Sequence, residues 1–204
     1  MTFADRAVAR AVEAQRVRAA EEVDALVAAG LAVLRRSGAA ALTVGEVLRE
    51  AGLSTRAFYR HFASKDELVL AIYERDATRT QRQLRERLAA ARSPRAAIEA
   101  WVDETLSLAF DPRRARRTRV LATEGARLQA EHPAEFASIL AGVVEPLAEV
   151  LRSAGTPDPE RDARTVHAIA WDLVVEKLHG GHVQLAGARA HVLRFCLPAL
   201  GLAR

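Results

Sequence analysis

Apolar residues recur along this chain at three- and four-residue intervals, and no segment shows a convincing alternation of apolar and polar positions. That period places side chains on one face of a helix, so the pattern predicts an all-α fold of about nine helices. Val23, Leu26, Val27, Gly30, Leu31 and Leu34 mark one buried face of a first helix over residues 16–36, stopped at Ser37-Gly38. Residues 1–15 ahead of it are weak in apolar content and are expected to be a frayed helix or a disordered arm. Two short helices follow, one ending at Gly52 and one over residues 55–62. A long helix starts at Ser64 and reaches about residue 91. Further helices are expected over 93–110, 111–132, 133–153, 158–180 and 188–200.

The boundaries carry their own chemistry. Thr43 with Glu46, and Ser64 with Glu67, have the spacing of a capping box, in which two backbone N–H groups at a helix start find side-chain acceptors. Ser54 is placed to cap the helix between them. Pro94, Pro112, Pro133 and Pro159 stand at first helical positions, where the missing N–H costs nothing.

Three helices joined by very short turns within residues 41–74 describe a helix-turn-helix. Val44, Val47, Leu48 and Ala51 face inward from the first short helix, Gly52 permits the turn, and Leu53 plugs the angle. Ala57, Phe58 and Phe62 hold the second. Thr55, Arg56, Tyr59, Arg60 and His61 are left pointing outward or sideways, a set suited to a helix in a DNA major groove.

Leu42-Thr43, Gly52-Leu53-Ser54, Phe58-Tyr59-Arg60-His61-Phe62 and Ser64-Lys65-Asp66-Glu67-Leu68 together resemble the signature of the tetracycline-repressor (TetR) family of bacterial regulators. With the preceding helix, the resemblance covers residues 20–74. It implies that Thr43, Tyr59, His61 and Lys65 contact DNA phosphates and that Thr55 and Arg56 read bases, with Arg60 reaching a base or a phosphate. Ser54 completes the expected DNA-binding set. Gly45 departs from the family pattern, since a longer base-contacting side chain is often found there, and it shifts the expected readout toward Arg56, Arg60 and DNA shape.

The resemblance also implies two domains: an N-terminal arm and helix-turn-helix over 1–65, and an effector-binding and dimerisation body over 66–204. In that body Trp101, Glu124, Phe136, His167 and Trp171 are candidate pocket residues for a small-molecule effector. The helices over about 159–180 and 188–200 are apolar on more than one side, which suggests contact with a second copy. The resemblance points the same way, to a four-helix bundle between subunits. The expected function is a ligand-responsive regulator, a repressor binding a palindromic double-stranded DNA operator as a homodimer. The alternative is a helical protein-interaction adaptor without sequence-specific DNA binding.

Two further motifs have duller explanations. Arg113-Arg114-Ala115-Arg116-Arg117-Thr118-Arg119 is the densest charge run, and it suits a solvated first turn of a helix, a site for an anionic ligand or a position near DNA. Helix stability does not explain it, because cations oppose the dipole at a helix start. Glu176, His179 and His182 have a spacing that resembles metal ligands, but no second such motif accompanies them, so no metal or cofactor is expected. No glycine-rich phosphate loop, nucleophile elbow or zinc signature occurs, which argues against an enzyme.

Composition sharpens this only by location. The 204 residues include 28 Arg, 2 Lys and 43 Ala, with no Asn, a skew most simply attributed to a GC-rich coding genome. The net charge is +4, and +3 of it falls in residues 1–65. The single cysteine, Cys196, excludes an internal disulfide framework. No apolar run approaches the roughly 18 residues needed to span a membrane, and the charged N-terminus is unlike a secretory signal, so a cytoplasmic location is expected.

Overall fold

The computed structural model describes residues 2–38 and 41–202, with Val120 described by its backbone alone. Met1 and residues 203–204, which fall within the expected domain bounds, lie outside the described residues. The helices are α1 (Phe3–Ser37), α2 (Val44–Ala51), α3 (Thr55–His61), α4 (Lys65–Ala89), α5 (Pro94–Phe110), α6 (Pro112–Glu131), α7 (Pro133–Ala154), α8 (Pro159–Leu178) and α9 (Leu185–Ala199). No strand occurs among the described residues, and the all-α expectation is borne out. No helix is long and apolar enough to cross a membrane.

The chain forms two compact units, residues 1–72 and 73–204. The division falls within α4, further along than the expected boundary after residue 65. The reason is packing: Leu68, Val69 and Ile72 are buried, and α1 and α4 meet closely at Gly30. A Cβ on Gly30 would stand 2.8 Å from Ile72 Cδ1 and 3.4 Å from Leu68 Cδ2. Leu26, Val33, Leu34, Val47 and Phe58 complete this core.

Residues 3–15 depart from the expected frayed helix or disordered arm: α1 is a continuous helix from Phe3. Thr2 caps it, its hydroxyl oxygen accepting from the Asp5 N–H at 3.1 Å while its own N–H donates to Asp5 Oδ2 at 2.7 Å. The Ala- and Arg-rich composition favours helix without any partner face. Burial is what the apolar pattern detects, and this segment is helical while exposed.

In the second unit, α5 is buried through Ala97, Ile98, Trp101, Val102, Leu106 and Ala109. Against this core lie Leu147 and Leu151 of α7, Val166, Ala170 and Val174 of α8, and Val192 and Leu197 of α9. Ser93, Asp111 and Asp158 cap α5, α6 and α8 through their side-chain oxygens, each followed by proline at the first helical position. Helix α9 starts three residues before the expected Ala188, and Pro198 lies inside it, a second helix-interior proline besides Pro146.

Candidate nucleic-acid interface

The helix-turn-helix is built from residues that settle its backbone before any function is considered. Thr43 Oγ1 accepts from the Glu46 N–H at 3.2 Å and starts α2. The reciprocal half of the expected capping box is not made, because the Glu46 carboxylate pairs with Arg49 at 2.7 Å. Gly52 ends α2 at φ 66°, ψ 27°, a left-handed conformation that favours glycine. Ser54 Oγ then accepts from the Ala57 N–H at 3.2 Å and opens α3. Before α4, Ser64 Oγ accepts from the Glu67 N–H at 3.2 Å, whereas Glu67 Oε2 accepts from the Ala63 N–H at 2.6 Å, one residue earlier than a capping box requires.

Phe58 fixes which way α3 faces. It is fully buried, with Ala57 and Phe62 beside it. Its ring meets Tyr59 edge-on at 5.3 Å and Phe62 at 5.8 Å, so the exposed phenol is braced by a buried anchor. Thr55, Arg56, Tyr59 and Arg60 form an outward row, with Tyr59 58% exposed. Thr43 and Ser54 are exposed at the two helix starts, and Lys65 is half-buried at the start of α4. Gly45 is exposed on α2 with only Thr43 Oγ1 near a would-be Cβ, at 3.9 Å, so it offers open space and no reading group.

His61 is placed differently from the rest of the expected set. Its Nε2 lies 2.7 Å from Glu22 Oε2 on α1, and its side chain is only 10% exposed. The His61 hydrogen bond holds the Glu22 carboxyl below the usual carboxylate range, and Arg60, 3.8 Å away, adds to this. His61 is therefore engaged within the unit, tying the last turn of α3 to α1. Glu22 was not anticipated from the sequence. Its one signal is a position one turn ahead of buried Leu26.

The candidate pocket residues separate into two groups. Trp101, His167 and Trp171 form a row of rings, with centroid separations of 5.7 Å and 5.8 Å and the second pair stacked. Burial pushes the His167 imidazole down to about 4, so it is neutral at pH 7. Trp101 Nε1 and His167 Nδ1 are buried without a hydrogen-bond partner. Glu124 and Phe136 gather instead around Tyr73: Phe136 meets its ring edge-on at 5.9 Å, and Glu124, paired with Arg127 at 3.2 Å, acts on it electrostatically. A groove of about 580 Å³ lies elsewhere, lined in part by Arg85, Leu88, Arg92, Pro146 and Glu149, and contains none of the five.

The arginine run is neither a simple solvated face nor an open anion site. Arg114 Nη2 lies 2.6 Å from Oε1 of buried Glu104, whose Oε2 is 2.6 Å from Arg87 Nη1 in a charge contact without hydrogen-bond geometry. Arg117 pairs with Asp76, and Arg119 Nε donates to the Leu178 carbonyl at 3.0 Å. Arg113 and Arg116 are exposed. Glu176, His179 and His182 do not converge on a metal-binding geometry.

Residues 26–72 match the family model for bacterial regulatory proteins of the tetR family. No curated protein sequence matches the chain significantly. Among solved structures, a transcriptional regulator from Rhodococcus sp. RHA1 is 25% identical, covering 87% of this chain and 96% of that one, with a TM-score of 0.64. A TetR transcriptional regulator from Rhodococcus sp. RHA1 is 20% identical over 92% and 98% of the two chains, with a TM-score of 0.69. FadR from Bacillus subtilis, a transcriptional regulator solved with stearoyl-CoA, is 16% identical over 84% and 96%, with a TM-score of 0.65. Over residues 26–72 the helix-turn-helix unit is thus similar to that of bacterial regulatory proteins of the tetR family.

Proposed function

We propose that the chain is an effector-responsive repressor that binds a palindromic operator as a homodimer. The observation that carries the reading is the outward row on α3, held in register by buried Phe58. Arg56, exposed in the first turn of α3, is the base-reading residue, suited to guanine O6 and N7. Thr55 reads beside it. Thr43, Ser54, Tyr59 and Lys65 hold phosphates, and Arg60 takes a base edge or a phosphate. His61 acts indirectly, by fixing the end of α3 through Glu22.

Two copies are joined through α8 and α9, whose outward apolar groups include Phe195, 59% exposed. Dimerisation presents two α3 helices to successive major grooves about 34 Å apart. The effector occupies the second unit, with the Trp101–His167–Trp171 row as its aromatic wall. Two buried polar atoms without partners, Trp101 Nε1 and His167 Nδ1, support that placement. The ligand-bound FadR structure shares this fold. By differential affinity for two states, the effector releases the operator.

A band-shift series against the DNA upstream of its own gene, at increasing salt, tests this reading. A sequence-specific complex with a steep salt slope supports it. Binding that ignores sequence and salt favours the protein-interaction adaptor.

A further inference from the structure

Helix α8 buries Ala163, Val166, Ala170, Val174 and Leu178 within the second unit. On the side turned away from them, Arg164, Ala168 and Asp172 follow one another at four-residue spacing, and all three are exposed. Residues four apart are neighbours along one helix face. The row therefore reads cation, small residue, anion over about 12 Å.

Neither charge is consumed inside the chain. Arg164 and Asp172 form no ion pair among the described residues, and Arg164 acts on Glu160 only through its charge. Eight residues apart on a rigid helix, they stand too far from each other to pair. Their neighbours differ: Glu160 is held by Arg152 at 2.6 Å and Arg161 by Asp158 at 2.9 Å. Thr165, beside Ala168, has its hydroxyl donated to the Arg161 carbonyl at 2.9 Å, so covering it orphans no donor.

The row is self-complementary end for end. Arg164 and Asp172 are equidistant from Ala168, with opposite charge. A second α8 crossing antiparallel at Ala168 sets Arg164 against Asp172 of the partner subunit, and the two-fold axis makes the reciprocal pair. A parallel crossing would set like charges together. Ala168 at the crossing lets the two backbones approach. Rows at four-residue spacing interdigitate at a crossing angle of about 50°, so the helices diverge beyond the two pairs.

We propose that the Arg164–Ala168–Asp172 row is a self-recognition surface, occupied by the same row of a second copy of this chain crossing antiparallel at Ala168. The inference rests on the homodimer reading and adds the register and the choice of partner. Opposed charges at an interface give specificity more than raw affinity. Exposed Phe195 of α9 supplies apolar area for the same association. A chain with the wrong sign at either position is rejected by like-charge repulsion.

The test measures the mass of the full chain against concentration by sedimentation equilibrium. It compares the wild type, Arg164→Glu, Asp172→Arg and the double variant, with helical signal and melting temperature as the folding check. Each single variant places like charges together twice, and its self-association is expected to weaken on the order of a hundredfold. An equimolar mixture of the two single variants is expected to regain the dimer mass, because both opposed pairs are then of opposite sign. The double variant is expected to regain a homodimer that does not exchange with the wild type. Single variants that dimerise as tightly as the wild type overturn the charge pairing and leave the homodimer reading standing. Folded single variants that weaken, with no recovery in the mixture or in the double variant, overturn the antiparallel register. A wild type that stays monomeric at every concentration overturns both the inference and the homodimer reading.

Discussion

His61 Nε2 and Glu22 Oε2 are 2.7 Å apart, joining the last residue of α3 to α1 across 39 positions of sequence. The contact converts an outward-facing motif residue into a brace. It leaves Thr55, Arg56 and Tyr59 as the free row on α3, with Arg60 exposed beside them and 3.8 Å from Glu22.

Replacing Glu22 by Gln tests the brace through pH. The carboxyl is held below its ordinary range chiefly by the hydrogen bond from His61. A depressed carboxylate contributes stability that is present above its unfolded value and lost as pH falls through its folded value. Thermal melts of the wild type are therefore expected to fall below about pH 4.3, the ordinary glutamate value, and Glu22→Gln to flatten part of that acid limb. Superimposable pH profiles would show that the pair carries no linkage.

His167 has the opposite consequence. Burial lowers its imidazole to about 4, so the unfolded chain binds this proton more readily than the folded one between about pH 6.5 and 4. Stability then rises with pH across that window and levels off above it. The expected loss on acidification is on the order of 2–3 kcal/mol for this site. Urea midpoints for the wild type and His167→Phe, taken at pH 7 and 4.5, check it: the variant's pH dependence is expected to be smaller.

Buried Glu104 makes the arginine run structural in part. Arg114→Met removes one of its two cationic partners, leaving Arg87, which is itself more than half exposed. The expected cost is about 2 kcal/mol, below the range for fully orphaning a buried charge. Adding Glu104→Gln is expected to recover part of it. Denaturant unfolding of the two single variants and the double variant reads this directly. Additive costs would mean that the charges do not act as a pair.

At Gly30 the limit is space. A Cβ meets the flexible end of Ile72, so Ala is tolerated, but Val forces Leu68 and Ile72 to move. Gly30→Val is expected to cost about 1–3 kcal/mol in unfolding free energy. An unchanged midpoint would place a gap where the structure shows contact.

Much of the fold is legible in the sequence because helix period, proline positions and caps are local signals. Gly52, Ser54 and the Phe58–Phe62 block carry the turn and its anchor within a few residues. What escapes is nonlocal or lacks burial. Residues 3–15 are helical without a buried face, so an apolar pattern cannot report them. The partners of His61 and Arg114 lie on other helices, and neither pairing leaves a spacing to read. The five pocket candidates share only size or polarity, and the structure divides them between two clusters.

The central claim is that α3 reads base sequence through Arg56. Selection from a random duplex library, performed with the wild type and with Arg56→Ala, measures it most directly. The account predicts that the variant still folds and binds DNA. It also predicts relaxed preference at one position in each half-site, with discrimination there falling on the order of tenfold to a hundredfold. An identical preference profile and affinity for the two proteins would contradict it.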